Sequence, residues 1–326
     1  MNITVILCTC NRAGSLSKAL EGMASSELPN SIEWEVLVVD NNSSDGTREV
    51  AEGFCRRYPG HFRYLFEPQQ GKSYALNAGI REARGELLAF LDDDVTVEPT
   101  WLGNLTAALY DDKWAGAGGR IILQWPSSLP RWLSIEGPHA RFPFPAFNQG
   151  HEAKQLIGPP FGTNMAFRKE MFEKYGVFRT DLGPSPNHEI PRPSEDTEFG
   201  RRLVAGGERL RYEPSAIVYH PVTEERINKE YFLKWSFDLG RANIRTLGID
   251  PGTNWFVGGI PLYLIRGLAA WTARWMVAFE PSRRFSCKVT AWEKAGQIVE
   301  CRRQARTLKR RRDKCDAERN AAGVNF

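Results

Sequence analysis

Residues 87–99 read LLAFLDDDVTVEP, an apolar run that leads directly into three consecutive aspartates. Short apolar runs without alternation are typical of strands buried on both faces of a parallel sheet. Three adjacent carboxylates repel one another unless a cation or protonation relieves the repulsion. The stretch therefore predicts a buried strand that carries a cluster of negative charge at its carboxyl end.

Strands and helices alternate on the N-terminal side of this stretch. Strand-like runs occur at residues 3–9, 35–40, 62–66 and 86–92, and helical periodicity is found at about 16–23, 47–57 and 73–83. Strands separated by helices in this way indicate a parallel sheet covered on both faces, which is a doubly wound α/β fold.

Polar residues lie where these predicted strands end. They are Thr9, Asn11 and Arg12 after the first strand, Asp40, Asn41 and Asn42 after the second, and Asp92, Asp93 and Asp94 after the fourth. Ligands of doubly wound sheets bind at the carboxyl ends of the strands, where the loops converge. We therefore expect three strand ends to meet at one crevice.

The three aspartates have the spacing of a divalent-metal site. Asp92 and Asp94 project to one side of an extended chain, and Asp93 projects to the other. Mg²⁺ and Mn²⁺ prefer oxygen ligands, and Mg²⁺ is typically held by one or two carboxylates together with substrate phosphates. A DxD metal site is therefore predicted, with a solvated acidic turn as the alternative. The letters DDDVT also match the DxDxT pattern of the aspartyl-phosphate phosphatases, whose first aspartate is a nucleophile.

The composition of the 326 residues is that of a globular protein, but its charge is unevenly distributed. Residues 1–259 contain 28 basic and 33 acidic side chains, and residues 260–326 contain 15 basic and 6 acidic ones, giving −5 and +9. This argues against a nucleic-acid groove in the main domain and favours an anionic partner, such as a phospholipid surface, for the tail. The six cysteines form no CxxC pair, so we expect a reduced, cytosolic protein without a zinc site or disulfide framework.

Two long proline-rich segments follow, at residues 124–160 and 182–193. Long ordered loops in compact domains are usually lids or binding elements, and a plain surface excursion is the alternative. A helix is predicted to begin at about Asp196, and from residue 227 onward the pattern turns helical. The N-terminus lacks a basic start and a cleavage site, so it is interpreted as a first strand and not as a signal peptide.

Five motifs occur along the chain in a characteristic order and spacing. They are VILCTCNRAGSL, VVDNNSSDGT, GKSYALNAGIREARGELLAFLDDD, GTNMAFRKEMFEKYGVF and SEDTEFGRRLVAGGERLRYEPSAIVYH. Together they resemble inverting glycosyltransferase family 2, whose members have the GT-A nucleotide-sugar fold; the first three are similar to its nucleotide-binding half and the last two to its acceptor half. The resemblance covers residues 3 to about 220. It implies a catalytic domain at 1–225, with a nucleotide-sugar-binding half at 1–123 and an acceptor half at 124–225, followed by a helical, basic extension at 226–326.

The resemblance also implies roles for individual residues. Thr9, Asn11 and Arg12 would line the nucleotide pocket, and Asp40 would contact the base. Lys72 and Asn77 would lie near the nucleotide or its phosphates, and Asp92 and Asp93 would bind the nucleotide sugar. Asp92, Asp94 and His220 would hold the metal, and Asp196 would be the catalytic base. Three of these residues have simpler alternatives. Asp40 also fits a turn residue, Lys72 a solvated charge and His220 a structural histidine.

The implied reaction moves a sugar from a nucleotide-sugar donor, with a UDP-sugar favoured, to an acceptor hydroxyl. Mg²⁺ or Mn²⁺ would neutralise the departing diphosphate as a Lewis acid. A carboxylate would remove the hydroxyl proton during attack on an oxocarbenium-like carbon from the face opposite the nucleotide, which inverts that centre. The implied acceptor is a saccharide or lipid-linked saccharide in bacterial polysaccharide or glycolipid assembly. The alternatives are a metal-dependent phosphatase, a nucleotidyltransferase on the same fold, and a non-catalytic lectin or scaffold.

Residues 260–279 are predicted to form an amphipathic helix near the start of the basic tail. One face carries Leu264, Leu268, Trp271 and Trp275, and Arg266 and Arg274 lie toward the other. The chain has no stretch of about 20 uncharged apolar residues, so a membrane-spanning helix is not expected. Tryptophans beside arginines suit a helix that lies among the headgroups on the inner face of the cell membrane. Packing on the catalytic domain or on a second copy of the chain, in a homo-oligomer, is the alternative.

Overall fold

The computed structural model of the protein describes residues 2–29, 32–185, 195–249 and 252–321, with side chains described up to residue 307. Residues 186–193 of the second predicted proline-rich loop lie outside the described residues. The chain forms two compact units. The first comprises Met1–Trp125 and Phe144–Thr223, and the second comprises Pro126–Pro143 and Glu224–Phe326. The predicted division into donor and acceptor halves stays a prediction.

The first unit contains a mixed sheet flanked by helices. Its strands are β1 (Ile3–Thr9), β2 (Trp34–Asp40), β3 (Phe62–Phe66), β4 (Leu87–Asp92), β5 (Thr96–Val97), β6 (Gly116–Gln124), β7 (Lys154–Gln155), β8 (Asn164–Arg168) and β9 (Leu210–Pro221). Its helices are α1 (Ala13–Ala24), α2 (Thr47–Arg57), α3 (Lys72–Glu82), α4 (Trp101–Ala107), α5 (Glu170–Tyr175) and α6 (Glu195–Ala205). The four predicted strands, the three predicted helices between them and the helix predicted at about Asp196 are confirmed.

The strand order explains why three strand ends meet. The sheet runs β3-β2-β1-β4-β8-β6-β9-β5, with β7 beside β9. β1 lies between β2 and β4 and is parallel to both, so Thr9 is level with Asp40 on one side and Cys8 is level with Asp92 on the other. The chain reverses direction across the sheet at this place, and such switch points are where doubly wound sheets bind ligands. The expected convergence of strand ends is confirmed.

Side chains of the central strands alternate between two hydrophobic clusters, one on each face of the sheet. Val5 and Leu7 of β1 belong to a cluster that includes Leu20 of α1. Ile6, between them, belongs to the other cluster together with Phe90 of β4. Because both faces are buried, apolar residues are needed at most positions of these strands.

Asn164 joins the second half of the sheet to the first. Its Oδ1 accepts a hydrogen bond from Nε1 of Trp101 (2.9 Å), and its Nδ2 donates to the carbonyl oxygens of Arg120 and Ala216 (2.9 Å each). Gly119 leaves room for this amide, since a Cβ there would lie 2.4 Å from Nδ2 of Asn164. A buried amide bonded in this way sets the position of the strand that it begins. That strand, β8, lies beside β4 and its acidic end.

The second unit is helical. It contains α7 (Lys229–Leu247), a short hairpin of β10 (Phe256–Val257) and β11 (Ile260–Pro261), α8 (Leu262–Val277) and α9 (Pro281–Ala321). In the part of the chain that the structure describes, no helix is both long enough and apolar enough to cross a membrane.

The helix predicted at 260–279 is present as α8, and the face expected to meet lipid is partly covered by protein. Leu264 is buried in a cluster with Ile244 of α7 and Cys301 of α9. The ring of Trp275 lies 6.1 Å from that of Trp292 on α9. Leu264 on this face is therefore buried within the second unit, whereas Leu268, Trp271 and Trp275 are partly exposed. The contact of this face with lipid stays a prediction.

Candidate active site

The acidic cluster at the end of β4 is held by partners from distant parts of the chain. Asp92 Oδ1 accepts a hydrogen bond from Nζ of Lys72 (2.6 Å), the first residue of α3. Asp92 Oδ2 accepts one from Oγ1 of Thr163 (2.6 Å), which directly precedes β8. Both oxygens of this carboxylate are therefore hydrogen-bonded to side chains at the starts of other elements, α3 and β8.

Arg12, at the end of β1, joins the other two aspartates. Its Nη1 donates to Asp93 Oδ1 (3.0 Å) and to Asp94 Oδ2 (2.8 Å). Together with Lys72, it places two cations against three carboxylates. The repulsion expected among the aspartates is thus relieved in part by side chains of the protein itself.

The protonation equilibria of the cluster reflect burial and these ion pairs. Burial raises the pKa of Asp93 to about 6, although the charge of Arg12 acts in the opposite direction. For Asp92, burial also favours protonation, but Lys72 outweighs it and the pKa is lowered. Burial opposes the charge on Lys72, and the carboxylates of Asp92, Glu195 and Asp196 raise its pKa above the usual value. Lys72 is therefore a permanent cation within the field of the acids at the start of α6.

His220 on β9 is placed beside the acidic cluster. The side chain is buried, and its Nε2 lies 3.7 Å from Asp94 Oδ1. Its Nδ1 is also buried and has no hydrogen-bond partner among the described residues. A carboxylate oxygen and an imidazole nitrogen this close together can both act as ligands of Mn²⁺. Mg²⁺ needs only one or two carboxylates when phosphate oxygens complete its coordination shell.

The arrangement fits a metal that is shared with a ligand. Within the described residues, no group of three or more His, Cys, Asp or Glu side chains is arranged to hold a metal ion by itself. Asp94 and His220 therefore fit an ion whose coordination is completed by oxygens of a bound substrate, which is the usual state of Mg²⁺ in phosphate sites.

Two asparagines at the strand ends adopt left-handed backbone conformations, Asn11 with φ 54° and Asn42 with φ 61°. The backbone N of Asn11 donates a hydrogen bond to Oγ of Ser43 (2.9 Å), and the side-chain Oδ1 of Asn11 accepts one from the backbone N of Ser44 (2.7 Å). These bonds tie the loop after β1 to the loop after β2. Non-glycine residues rarely take this conformation and are concentrated at functional sites when they do.

Asp40 is level with Thr9 on β1, but its side chain is only 2% exposed. Its Oδ1 accepts from the backbone N of Ser43 and its Oδ2 from the hydroxyl of Tyr64, both at 2.9 Å. Burial and this hydrogen bond raise the pKa of Tyr64 to about 12. The geometry is that of the turn-residue alternative, and the contact of Asp40 with a base stays a prediction.

The side chains of Asn77 and Thr9 are both buried. The Nδ2 of Asn77 donates to the carbonyl of Phe178 (2.8 Å), and the backbone N of Phe178 donates to Oδ1 (3.0 Å). These bonds engage both polar atoms of the amide with one backbone segment. The implied nucleotide contacts of Asn77 and Thr9 stay predictions.

Asp196 lies in the first turn of α6 and is half-buried. Its Oδ2 accepts a hydrogen bond from the backbone N of Gly162 (2.7 Å), and its Oδ1 accepts one from the backbone N of Thr197 (2.6 Å). Gly162 and Thr163 are consecutive, so neighbouring residues bind the implied base and the implied metal carboxylate Asp92. The structure thus brings Asp196 to the acidic cluster.

Thr163 was not identified from the sequence, although it is the buried partner of Asp92. A signal was present, because Thr163 follows the GPPFG turn segment and directly precedes the strand-like NMAFR. Glycine clusters before a strand mark a place where backbone approaches another group closely. That group is Asp196, whose Oδ2 would lie 3.0 Å from a Cβ on Gly162.

Comparisons with known proteins agree with this architecture. The chain is 27% identical to the succinoglycan biosynthesis protein ExoM of Rhizobium meliloti over 76% of this chain and 75% of that protein. It is 29% identical to the glycosyltransferase AglE of Haloferax volcanii over 86% of this chain and 81% of that protein. The mannosyltransferase PcManGT from Pyrobaculum calidifontis, solved in complex with GDP-Man and Mn²⁺, superposes with a TM-score of 0.56 at 17% identity, covering 91% of this chain and 73% of that chain.

These likenesses establish the GT-A fold with a helical C-terminal extension, as the resemblance implied. They give no support to the phosphatase, nucleotidyltransferase or lectin alternatives. The model of the family described as "Glycosyl transferase family 2" matches residues 4–176, which is more than half of the chain. The protein therefore belongs to glycosyl transferase family 2 and is a glycosyltransferase.

Proposed function

We propose that the protein is a metal-dependent inverting glycosyltransferase that moves a sugar from a nucleotide-sugar donor to an acceptor hydroxyl. The observation that carries this proposal is the pair of hydrogen bonds from consecutive residues. Gly162 binds Asp196 and Thr163 binds Asp92, so a candidate base and a candidate donor-binding carboxylate lie at one place. Inverting transfer needs this juxtaposition, because the hydroxyl attacks the carbon that the diphosphate leaves.

The donor's diphosphate is proposed to bind among Arg12, Lys72 and the acidic cluster. Asp94 and His220, with Asp92, would hold Mg²⁺ or Mn²⁺, which when bound neutralises charge on the departing diphosphate. The guanidinium of Arg12 and the ammonium of Lys72 are cations already located at this edge, and both kinds of group bind phosphate oxygens. The wider nucleotide pocket would include Thr9, Asn11, Asp40, Asn77 and Asp93.

Asp196 is proposed as the general base. Two backbone N–H groups hold its carboxylate in a fixed orientation, so a lone pair is presented without a further change of rotamer. It would take the proton of the acceptor hydroxyl as the oxygen attacks the anomeric carbon. Proton removal of this kind contributes about 10²- to 10⁴-fold to the rate.

The acceptor is proposed to be a saccharide or lipid-linked saccharide in bacterial polysaccharide or glycolipid assembly. Similarity to a protein named for succinoglycan biosynthesis supports a polysaccharide role. The proposed location is the cytoplasm, with peripheral attachment to the inner face of the membrane, which the excess of basic residues in the tail supports. Residues 1–123 are proposed to bind the donor, residues 124–225 the acceptor, and no nucleic acid is proposed as a partner.

The test separates donor binding from transfer. A screen of UDP-, GDP- and dTDP-sugars with Mn²⁺ by thermal shift identifies the donor. Asp196→Asn is then expected to keep donor binding and to lose at least 10²-fold in kcat, because the amide cannot accept the proton. Asp94→Ala is expected to lose the metal-dependent part of the thermal shift.

Asp111→Asn is the matched control, because Asp111 is an exposed carboxylate in the first unit outside the candidate site. It is expected to bind and transfer as the unaltered protein does. Near-normal turnover by Asp196→Asn would show that another residue is the base. A product with retained anomeric configuration, determined by NMR, would contradict the inverting mechanism.

A further inference from the structure

Within the second unit, the turn between α8 and α9 displays large apolar side chains to solvent. Met276 is 72% exposed, Val277 68% and Phe279 97%. Arg283 and Arg284, in the first turn of α9, are also exposed. We call these five residues the α8–α9 corner. Apolar side chains exposed together in this way mark interaction surfaces more often than exposed residues that occur singly.

The charges around the corner are nearly all positive. Residues 262–279 contain Arg266 and Arg274 and no acidic residue. Glu280 is the sole acidic residue in the stretch 262–292, and its carboxylate accepts a hydrogen bond from the hydroxyl of Ser282. A partner for this surface must therefore combine an apolar phase with negative charge.

The outward face of α8 continues the same character. Because Leu264 is buried against α7 and α9, the exposed stripe of the helix is formed by other residues at helical spacing, namely Tyr263, Arg266, Ala270, Arg274 and Val277. The guanidinium of Arg274 lies 4.5 Å from the ring centroid of Trp271. The stripe has aromatic, aliphatic and arginine side chains and no carboxylate.

At the other end of α8, the β10–β11 hairpin adds a second exposed apolar group. Trp255, Phe256 and Val257 are all exposed. The backbone N of Leu262, the first residue of α8, donates to the carbonyl of Trp255 (2.9 Å). The hairpin is therefore joined directly to the start of α8, and apolar side chains are exposed at both ends of that helix.

We propose that the α8–α9 corner and the outward stripe of α8 dock on a bilayer that contains anionic phospholipid. Helices of this composition lie in the headgroup region, with aromatic and aliphatic side chains at the acyl boundary and arginines at the phosphates. Because the stripe has no carboxylates, it matches the uniformly negative surface of an anionic bilayer better than a protein surface that carries both acidic and basic side chains. The inference rests on the proposed peripheral location and not on the transfer chemistry.

The experiment measures binding of the full chain to vesicles. Flotation is performed at low salt with vesicles of phosphatidylcholine and with vesicles that also contain phosphatidylglycerol. The full chain is expected to float with the anionic vesicles only, and less so at high salt. Arg283→Gln with Arg284→Gln is expected to weaken partitioning about 30-fold, since each arginine near an anionic surface contributes about 1 kcal/mol. Phe279→Ser is expected to weaken it on the order of tenfold or more.

Matched controls are available in the first unit. Ile157 is also 97% exposed, and the side chain of Arg56 is 72% exposed. Ile157→Ser and Arg56→Gln are expected to float as the unaltered chain does. Because all the altered side chains are exposed, each variant is expected to keep the thermal shift with donor, which shows that the fold is intact.

Three outcomes would overturn the inference. If the full chain binds anionic vesicles and the corner variants bind equally well, the corner is not the docking surface, although the peripheral location would stand. If the full chain binds no vesicles, both are contradicted, and the proposed transferase activity is unaffected. If the corner variants convert a dimer of the chain to a monomer without changing flotation, the surface is an interface between copies of the protein.

Discussion

Single residues at the candidate site are mostly engaged with one another. Lys72 and Arg12 occupy oxygens of Asp92, Asp93 and Asp94. A buried carboxylate that lost its cation would be left with the full cost of desolvation. We therefore expect substitution of either cation to affect stability as well as donor binding, so the two must be measured separately.

Asp93 allows a test of these electrostatics through pH. Its pKa is raised to about 6 by burial, whereas an unfolded aspartate has about 3.9. The folded state therefore binds more protons between these values, and this carboxyl's contribution to stability falls as pH rises through that window. Asp93→Asn removes this carboxyl and with it the part of the pH dependence of stability that it causes.

The free energy of unfolding of Asp93→Asn, relative to the unaltered protein, is thus expected to rise by about 2 kcal/mol between pH 4 and pH 7 and to level off above. Urea unfolding at a series of pH values measures the difference. Parallel pH profiles for the two proteins would show that Asp93 has no raised pKa.

At the scale of elements, α7 and α9 cross at two glycines. A Cβ on Gly240 would lie 2.0 Å from the carbonyl oxygen of Glu293, and a Cβ on Gly296 would lie 2.0 Å from that of Phe237. Each glycine thus faces the backbone of the other helix. The crossing also brings Arg245 of α7 to Glu300 of α9, a fully buried carboxylate that accepts a hydrogen bond from Nε of Arg245 (3.0 Å).

Gly240→Ala and Gly296→Ala are each expected to lower the free energy of unfolding of the second unit by about 2 kcal/mol net. Overpacking costs about 3 kcal/mol when backbone must move, and the better helix propensity of alanine offsets about 1 kcal/mol of that cost. Gly267→Ala on α8 is the control, because its Cβ would lie 3.7 Å from the nearest atom, on the flexible side chain of Lys294. That variant is expected to be neutral or slightly more stable in urea unfolding. A similar loss in all three variants would contradict the close crossing.

At the scale of the whole molecule, the two units have separate hydrophobic cores. The sheet is enclosed by its two clusters, and Ile244, Leu264 and Cys301 form a core within the second unit. The donor-binding residues proposed above all belong to the first unit. Ligand binding should therefore stabilise one unit and leave the other unchanged.

Calorimetry tests this expectation. With Mn²⁺ and a donor at 100 times its Kd, binding contributes about 2.7 kcal/mol, which raises Tm by about 5–10 °C for a unit of about 200 residues. The transition of the first unit is expected to move, and that of the second unit to stay. Gly240→Ala is expected to lower only the second transition. One transition that moves as a whole would show that the units unfold together.

Local sequence was sufficient for the first half of the sheet. The strand at residues 3–9, the helix at 47–57 and the acidic end of the strand at 86–92 follow from hydrophobic periodicity and from polar residues at strand ends, which depend on neighbours within a few positions. The crevice formed by Arg12 and the three aspartates was predictable for the same reason, because parallel strands place their carboxyl ends together.

Tertiary structure alone decided which distant groups complete the site and which surfaces are covered. Thr163 meets Asp92 across 71 positions and Gly162 meets Asp196 across 34, because β8 inserts beside β4 and no local pattern encodes that pairing. The burial of Asp40 depends on Tyr64 of the neighbouring strand. For α8, periodicity predicted an apolar face, but only the packing of α7 and α9 determined that Leu264 on this face is buried. An amphipathic pattern divides a helix into two faces and does not specify what contacts each of them.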